Sequence, residues 1–268
     1  MADIADRQVY LERLAKPLQE KLRVARYIPA TAAAVLDVGC ADGAVTRALA
    51  ALFPEVAFLG IDLNDDFIAL AREYAAGLGN VRFERVYLRE LLPRPERFDA
   101  VVFCSVLHEF YTYGEGLSSV LKALADAHEL LRPGGVIVIR DMILHAYTKR
   151  ASFQCDRLRA RLEAKCESWV IADFVRHFGP LDSLYTINHL LLKYWYTENW
   201  ARECPEHYVP VTFEEYEQVF RLLGMTTQVL DSFALPFLQR KWQEDFGYTA
   251  DEIAGLRSTG ILVAQRAY

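Results

Sequence analysis

The chain has 268 residues, 53% hydrophobic and 25% charged, with a formal net charge of −6. That length and apolar share suit one large domain, or a domain with an insertion, and exclude disordered, collagen-like and low-complexity classes. The acidic balance argues against broad contact with nucleic-acid backbones or anionic membranes.

In chain order, Asp6 to Tyr27 has apolar residues at helical spacing and closes at Pro29. Its acidic start, Met1-Ala2-Asp3-Ile4-Ala5-Asp6, lacks the apolar core of a signal peptide. No apolar run approaches the length needed to span a bilayer. Ala34 to Val38 is a short apolar strand ending in Gly39, and Val45 to Leu52 follows as a helix. Val56 to Asp62 repeats the pattern before a helix over Asp65 to Ala76, and Val81 to Val86 is a third strand. Phe98 to Cys104 is a fourth strand, Gly116 to Leu131 a long amphipathic helix, Pro133-Gly134-Gly135 a turn and Val136 to Arg140 a fifth strand. Apolar strands alternating with helices mean parallel β-α-β units with both sheet faces covered.

Residues 146–210 break this rhythm with helical stretches and dense aromatics, including three of the four tryptophans. Thr212 and Glu215 form a capping box for a helix ending near Leu223-Gly224. Two closing strands follow, Thr226 to Ser232 and Gly260 to Gln265. The expected organisation is an N-terminal helical cap (1–30), a cofactor-binding core (31–145), a helical substrate cap (146–210) and the rest of the core sheet (211–268). Cys40, Cys104, Cys155, Cys166 and Cys204 are scattered without a CxxC pair, so no zinc site or disulfide framework is expected. A cytoplasmic, reducing compartment is the expectation.

The strongest signal is Val35-Leu36-Asp37-Val38-Gly39-Cys40-Ala41-Asp42-Gly43, placed between a strand and a helix. Gly39 and Gly43 let the backbone turn sharply and approach a ligand. Asp62 ends the next strand, where a carboxylate can accept both hydroxyls of a ribose. The spacing is not that of a dinucleotide loop. Asp37 suits a cationic ligand such as S-adenosylmethionine, with its sulfonium and ammonium, better than a pyrophosphate.

On VLDVGCADG, GIDLN, FDAVVFCSVLHEF and LRPGGVIVIRD, in that order, the chain resembles the class I S-adenosylmethionine-dependent methyltransferases. The likeness covers Ala34 to Ile143 and the closing elements after Pro210. It implies an α/β, Rossmann-like, seven-stranded, mostly parallel sheet, here with a helical insert after strand 5 and an N-terminal helix. It implies that Gly39, Ala41 and Gly43 line the methionine portion of the cofactor, with Asp37 at the start of the loop. Asp62 would bind the ribose and Leu63 would pack on the adenine. Tyr87 and Leu88 stand where the family usually supplies an acid for the adenine amine, and Cys104 ends the strand beside the cofactor. Ala41 replaces a frequent glycine.

Ligands of open α/β sheets bind beyond the carboxyl ends of the strands, so the residues after the fourth and fifth strands should face the methyl group. His108 is the first candidate for a general base, since its ordinary pKa lies near neutrality; otherwise it caps or braces the loop after the strand. Glu109 and Asp141 are further catalytic candidates; otherwise Glu109 holds the N-terminal helix or the insert and Asp141 braces the loop, while Tyr111 could orient an acceptor. No histidine spacing matches a metal motif, so no metal is expected. Tyr194, Trp195 and Trp200 are the expected acceptor walls; otherwise they belong to a core or to a homodimer interface. The expected function is O- or N-methylation of a small organic molecule. The competitors are a nucleic-acid or protein methyltransferase and a non-methylating enzyme of the same fold. The first lacks support from the acidic charge and from Ser105-Val106-Leu107-His108, which is not an Asn/Asp-Pro-Pro-aromatic motif. Release of S-adenosylhomocysteine on turnover would separate methylation from the second.

Overall fold

The computed structural model describes residues 18–151 and 155–268. The part of the expected N-terminal helix before residue 18 lies outside the described residues. Its remainder is a short α-helix, Leu18–Lys21, continuing as a 3-10 helix, Leu22–Tyr27.

Seven strands form one sheet: β1 (Ala34–Val38), β2 (Ala57–Asp62), β3 (Val81–Arg85), β4 (Phe98–Cys104), β5 (Leu131–Asp141), β6 (Met225–Phe233) and β7 (Thr259–Arg266). Their order is β3-β2-β1-β4-β5-β7-β6. The pairs from β3 through β5 are parallel, and β7 runs antiparallel to both β5 and β6. Strand order reverses at β1, so a crevice opens beyond the carboxyl ends of β1 and β4.

The strands are apolar throughout because both faces are covered. Val35, Phe58, Val102 and Val138 meet the helix Ala44–Leu52 together with Val24 and Ile28. Leu36, Leu59, Val101 and Ile137 meet the helices Leu117–Leu130 and Phe213–Leu222. The Thr212–Glu215 capping box forms in both directions.

One boundary differs from the sequence reading. The helix stops at Leu130, and the strand already begins at Leu131. Phe98 pairs with Leu131 and Ala100 with Val136, so the intervening residues bulge out of the ladder, with Gly134 at φ +77°. Pro133-Gly134-Gly135 is therefore a bulge within the strand and not a turn before it.

The aromatic segment builds its own hydrophobic cluster, with Leu158, Leu162, Phe174 and Leu190 at its centre. Between β6 and β7 lie two helices that the sequence reading does not anticipate, Pro236–Phe246 and Ala250–Ile253. Leu238, Trp242 and Phe246 pack into the same cluster, and Trp242 Nε1 donates to the Leu191 carbonyl at 3.0 Å. The layer above the sheet is thus made from two separate stretches of chain. No helix among the described residues is long and apolar enough to cross a membrane.

Candidate active site

At the β1 end the chain turns through Gly39 (φ +70°), Ala41 (φ +48°) and Gly43 (φ +73°). A Cβ on Gly39 would lie 2.3 Å from Val106 Cγ2, and one on Gly43 would lie 2.6 Å from the Phe83 ring. The glycines therefore press the loop against its own protein neighbours. Asp62 fixes the same loop: one carboxylate oxygen accepts from Ala41 N and the other from Asn64 N, both at 2.9 Å. A carboxylate has about four lone-pair sites, so two remain for a ligand. Asn64 caps the next helix by accepting from Asp66 N and Phe67 N.

Gly39, Ala41, Asp62 and Asn64 line a cleft with Lys21, Asp37, Cys104 and Ser105. Asp37 is buried and accepts a 2.6 Å bond from Thr46 Oγ1. Burial pushes its carboxyl up to about 6, against the pull of that bond and of Lys21. Burial also raises the Cys104 thiol. An apolar pocket continues from the cleft, lined by Ile61, Leu63, Val86, Tyr87, Leu88 and Val106, and shares Gly39, Asp62 and Glu109 with it.

A second cavity lies beneath the helical layer, lined by Ser105, His108, Glu109, Arg140, Arg202 and Glu206 together with Tyr196, Tyr208 and Leu238. His108 is clamped there by two acids. Its Nδ1 lies 2.7 Å from Asp141 Oδ1 and its Nε2 lies 3.0 Å from Glu206 Oε1. Burial alone would lower its pKa, but the charge and hydrogen bond of Asp141, with those of Glu206, hold it well above the ordinary value. In its protonated form the ring donates from both nitrogens, one to each acid.

With both ring nitrogens turned to buried carboxylates, the geometry favours a bracing role for His108 over the general base. Asp141 faces His108 and the backbone of its own turn, accepting also from Met142 N at 2.8 Å, so it braces this network. Glu206 further accepts from Tyr113 OH at 2.9 Å. Arg202 lies 3.7 Å from Glu109 and 3.8 Å from Glu206. Glu109 is two-thirds covered. That burial and the charge of Glu206 push its carboxyl up to about 7, against His108 and Arg202. Ligand atoms of His108, Glu109 and Glu206 lie within 4.8 Å of one another, a grouping of metal-ligand types, but the histidine's nitrogens are already engaged.

Glu206 is placed by Lys193, which is fully buried. Its Nζ donates to the carbonyls of Glu203 (3.0 Å), Cys204 (3.3 Å) and Glu206, and sits over the rings of Phe178 and Tyr208. Burial, against the pull of Glu206, lowers its pKa to about 7.

A model described as "Methyltransferase domain" matches residues 36–137. That match falls on β1 to β5, the parallel part of the sheet. Relatives of the chain include a "Probable methyltransferase ltbC" of Aspergillus luteorubrus, 30% identical over 131 residues, 46% of this chain and 45% of that protein. A "Trans-aconitate 2-methyltransferase" of Deinococcus radiodurans is 34% identical over 108 residues, 40% of this chain and 37% of that one. The chain thus matches less than half the length of these two curated relatives. Among solved structures, the plantazolicin methyltransferase BpumL in complex with SAH shares the fold, with a TM-score of 0.55, 13% identity and coverage of 100% of this chain and 92% of that one.

In the methyltransferase domain, Asp37, Gly39, Ala41, Asp62 and Cys104 come together in the cleft, and Leu63, Tyr87 and Leu88 in the apolar pocket. Gly43 underlies the loop against Phe83. Tyr111 stacks edge-on to His207 at 5.4 Å and lines none of the three cavities. The expected acceptor walls are elsewhere too. Tyr194 donates to Asp245 and packs on Phe246; Trp195 stacks on Phe237; Trp200 donates to Asp173 at 2.9 Å. All three belong to the helical layer's own cluster, because consecutive aromatics on a tight turn diverge and only Tyr196 of that run reaches the cavity. Arg202, Glu206 and Lys193 escape sequence reasoning, since nothing local ties them to His108. Arg140 carries a signal that could have been used: a lone charge ending the apolar run Val136 to Ile139.

Proposed function

We propose that the protein transfers the methyl group of S-adenosylmethionine to an oxygen or nitrogen of a small organic acceptor held under the helical layer. One observation carries this reading: Glu109 lines the cleft, the apolar pocket and the layered cavity, and so stands where cofactor and acceptor would meet. The donor set fits the cofactor. Two acids, Asp37 and Asp62, line the end suited to positive charge and ribose, and an apolar slot suits the adenine. The cofactor supplies an already activated methyl group.

The protein's share is positioning, exclusion of water and proton handling. Residues 146–210, with the helices between β6 and β7, cover the acceptor. Glu109 takes the acceptor's proton onto its carboxylate. The His108–Asp141–Glu206 network holds Glu109 in place and tunes it through Glu206.

The reading is tested by incubating the protein with S-adenosylmethionine and a panel of phenols, amines and carboxylic acids, and following S-adenosylhomocysteine. Turnover should rise with pH through about 7 as Glu109 deprotonates. Glu109→Gln should lower it about 10²–10⁴-fold and remove that limb, with cofactor affinity unchanged. An unaltered pH profile in the variant would exclude Glu109 as the base. Failure to bind S-adenosylhomocysteine at all would remove the reading.

A further inference from the structure

Arg140 is the next-to-last residue of β5, in register with Cys104 of β4 and Ile261 of β7. It is only 5% exposed. Its Nη1 donates to Ser105 Oγ at 2.6 Å, and its Nε is buried with no partner. Among the described residues no carboxylate pairs with it. Two other cations of the cavity have acids beside them: His108 lies between Asp141 and Glu206, and Arg202 lies beside Glu109 and Glu206. A guanidinium is always charged, and leaving it buried without an anion is costly unless a ligand provides one.

The surroundings of Arg140 are held rigid. Ser105, a non-glycine residue at φ +59°, donates its N–H to the Arg140 carbonyl at 2.6 Å and presents its hydroxyl to the guanidinium. Such backbone strain persists where neighbouring structure over-determines it, often at ligand sites. Much of the remaining cavity wall is apolar and aromatic, with Leu192, Tyr196, Leu235, Phe237 and Leu238, beside Ser258 and Thr259.

We propose that Arg140 is the seat of a carboxylate on the methyl acceptor, so that the acceptor is an organic acid with an apolar or aromatic body. The assignment rests on the methyltransferase reading above and deepens it. Arg140 lines the layered cavity and is not among the residues of the cofactor cleft, so the anion belongs to the acceptor and not to the cofactor's amino-acid end. Arg140 orients the acid by charge-assisted hydrogen bonds while a separate atom faces the methyl group.

The test uses benzoate and benzamide, equal in shape and different in charge, titrated calorimetrically into the full chain saturated with S-adenosylhomocysteine. Benzoate should bind at least about tenfold tighter, and Arg140→Met should erase the difference while S-adenosylhomocysteine affinity stays within about threefold. Arg140→Lys, which keeps the charge without the planar fork, should restore part of the preference and serves if the Met variant does not fold. Benzoate binding no tighter than benzamide, including binding by neither, overturns the proposal, as does a preference that survives in Arg140→Met. A tenfold loss of S-adenosylhomocysteine affinity in both variants overturns it by giving the carboxylate to the cofactor. If wild type fails to bind S-adenosylhomocysteine, the methyltransferase reading fails instead.

Discussion

The cofactor cleft and the layered cavity meet at Glu109 but are built by different means. The cleft is made by backbone: Gly39, Ala41 and Gly43 at positive φ, and Asp62 accepting from two loop N–H groups. Its parts are neighbours in sequence or in adjacent strands. The cavity is made by side-chain charges brought together from far apart: His108 from the end of β4, Asp141 from β5, and Arg202 and Glu206 from the insert. Changes in the first should cost ligand binding, and changes in the second should cost folding or turnover.

The largest effect is expected where backbone geometry is least forgiving. Gly39→Val must hold a branched side chain at φ +70° with its Cβ on Val106. We expect S-adenosylhomocysteine affinity to fall at least about 100-fold while circular dichroism shows the sheet intact. Adding Val106→Ala should recover part of the loss. Wild-type affinity in the single variant would break the comparison on the cofactor side.

His108→Ala probes the other side. It leaves Asp141 and Glu206 buried without their shared cation, a change that costs about 3–5 kcal/mol of stability. The folded pKa of His108 is raised, so its contribution is complete below the ordinary value and is lost as pH climbs through the folded value. Urea unfolding of wild type and variant should therefore differ most at pH 6 and converge under alkaline conditions. A gap that widens with pH would mean that the ring is neutral, and the general-base role would return.

Asp62→Ala should weaken S-adenosylhomocysteine by about 1.5–3 kcal/mol, the scale for hydrogen bonds to a charged group. Part of that loss comes from the loop, which loses the acceptor of Ala41 N. Asp62→Asn keeps one acceptor oxygen and should lose less. Unchanged calorimetric affinity in both variants would take Asp62 out of the ligand's reach.

The same contrast explains what could be read from the residues alone. The alternation of strands and helices, the Gly39 to Gly43 turn and the place of Asp62 at a strand end were legible because each is a local pattern whose meaning depends on a few consecutive residues. The Thr212–Glu215 cap was legible for the same reason. The clamp on His108 was not: its ordinary pKa suggests a base, and the two acids that hold its ring, Asp141 and Glu206, lie thirty-three and ninety-eight residues away in sequence. The helices between β6 and β7 were missed because their apolar residues pack on the insert, a partner that no periodicity names.

The smallest effect is expected from the most conspicuous residue. Trp195 and Tyr196 are adjacent, yet Trp195 stacks on Phe237 at 6.2 Å, with Lys241 over its ring, while Tyr196 lines the cavity. Trp195→Ala should therefore leave acceptor KM within about threefold, under roughly 0.7 kcal/mol, and show its cost in thermal unfolding. Tyr196→Ala should raise KM about tenfold at near-constant cofactor affinity, since it removes wall from a site that buries its ligand. Steady-state kinetics on both variants checks this. Equal KM changes would mean that the two rings act as one wall. A larger change in Trp195→Ala would show that aromatic density marks the acceptor site better than the side-chain directions of the fold do.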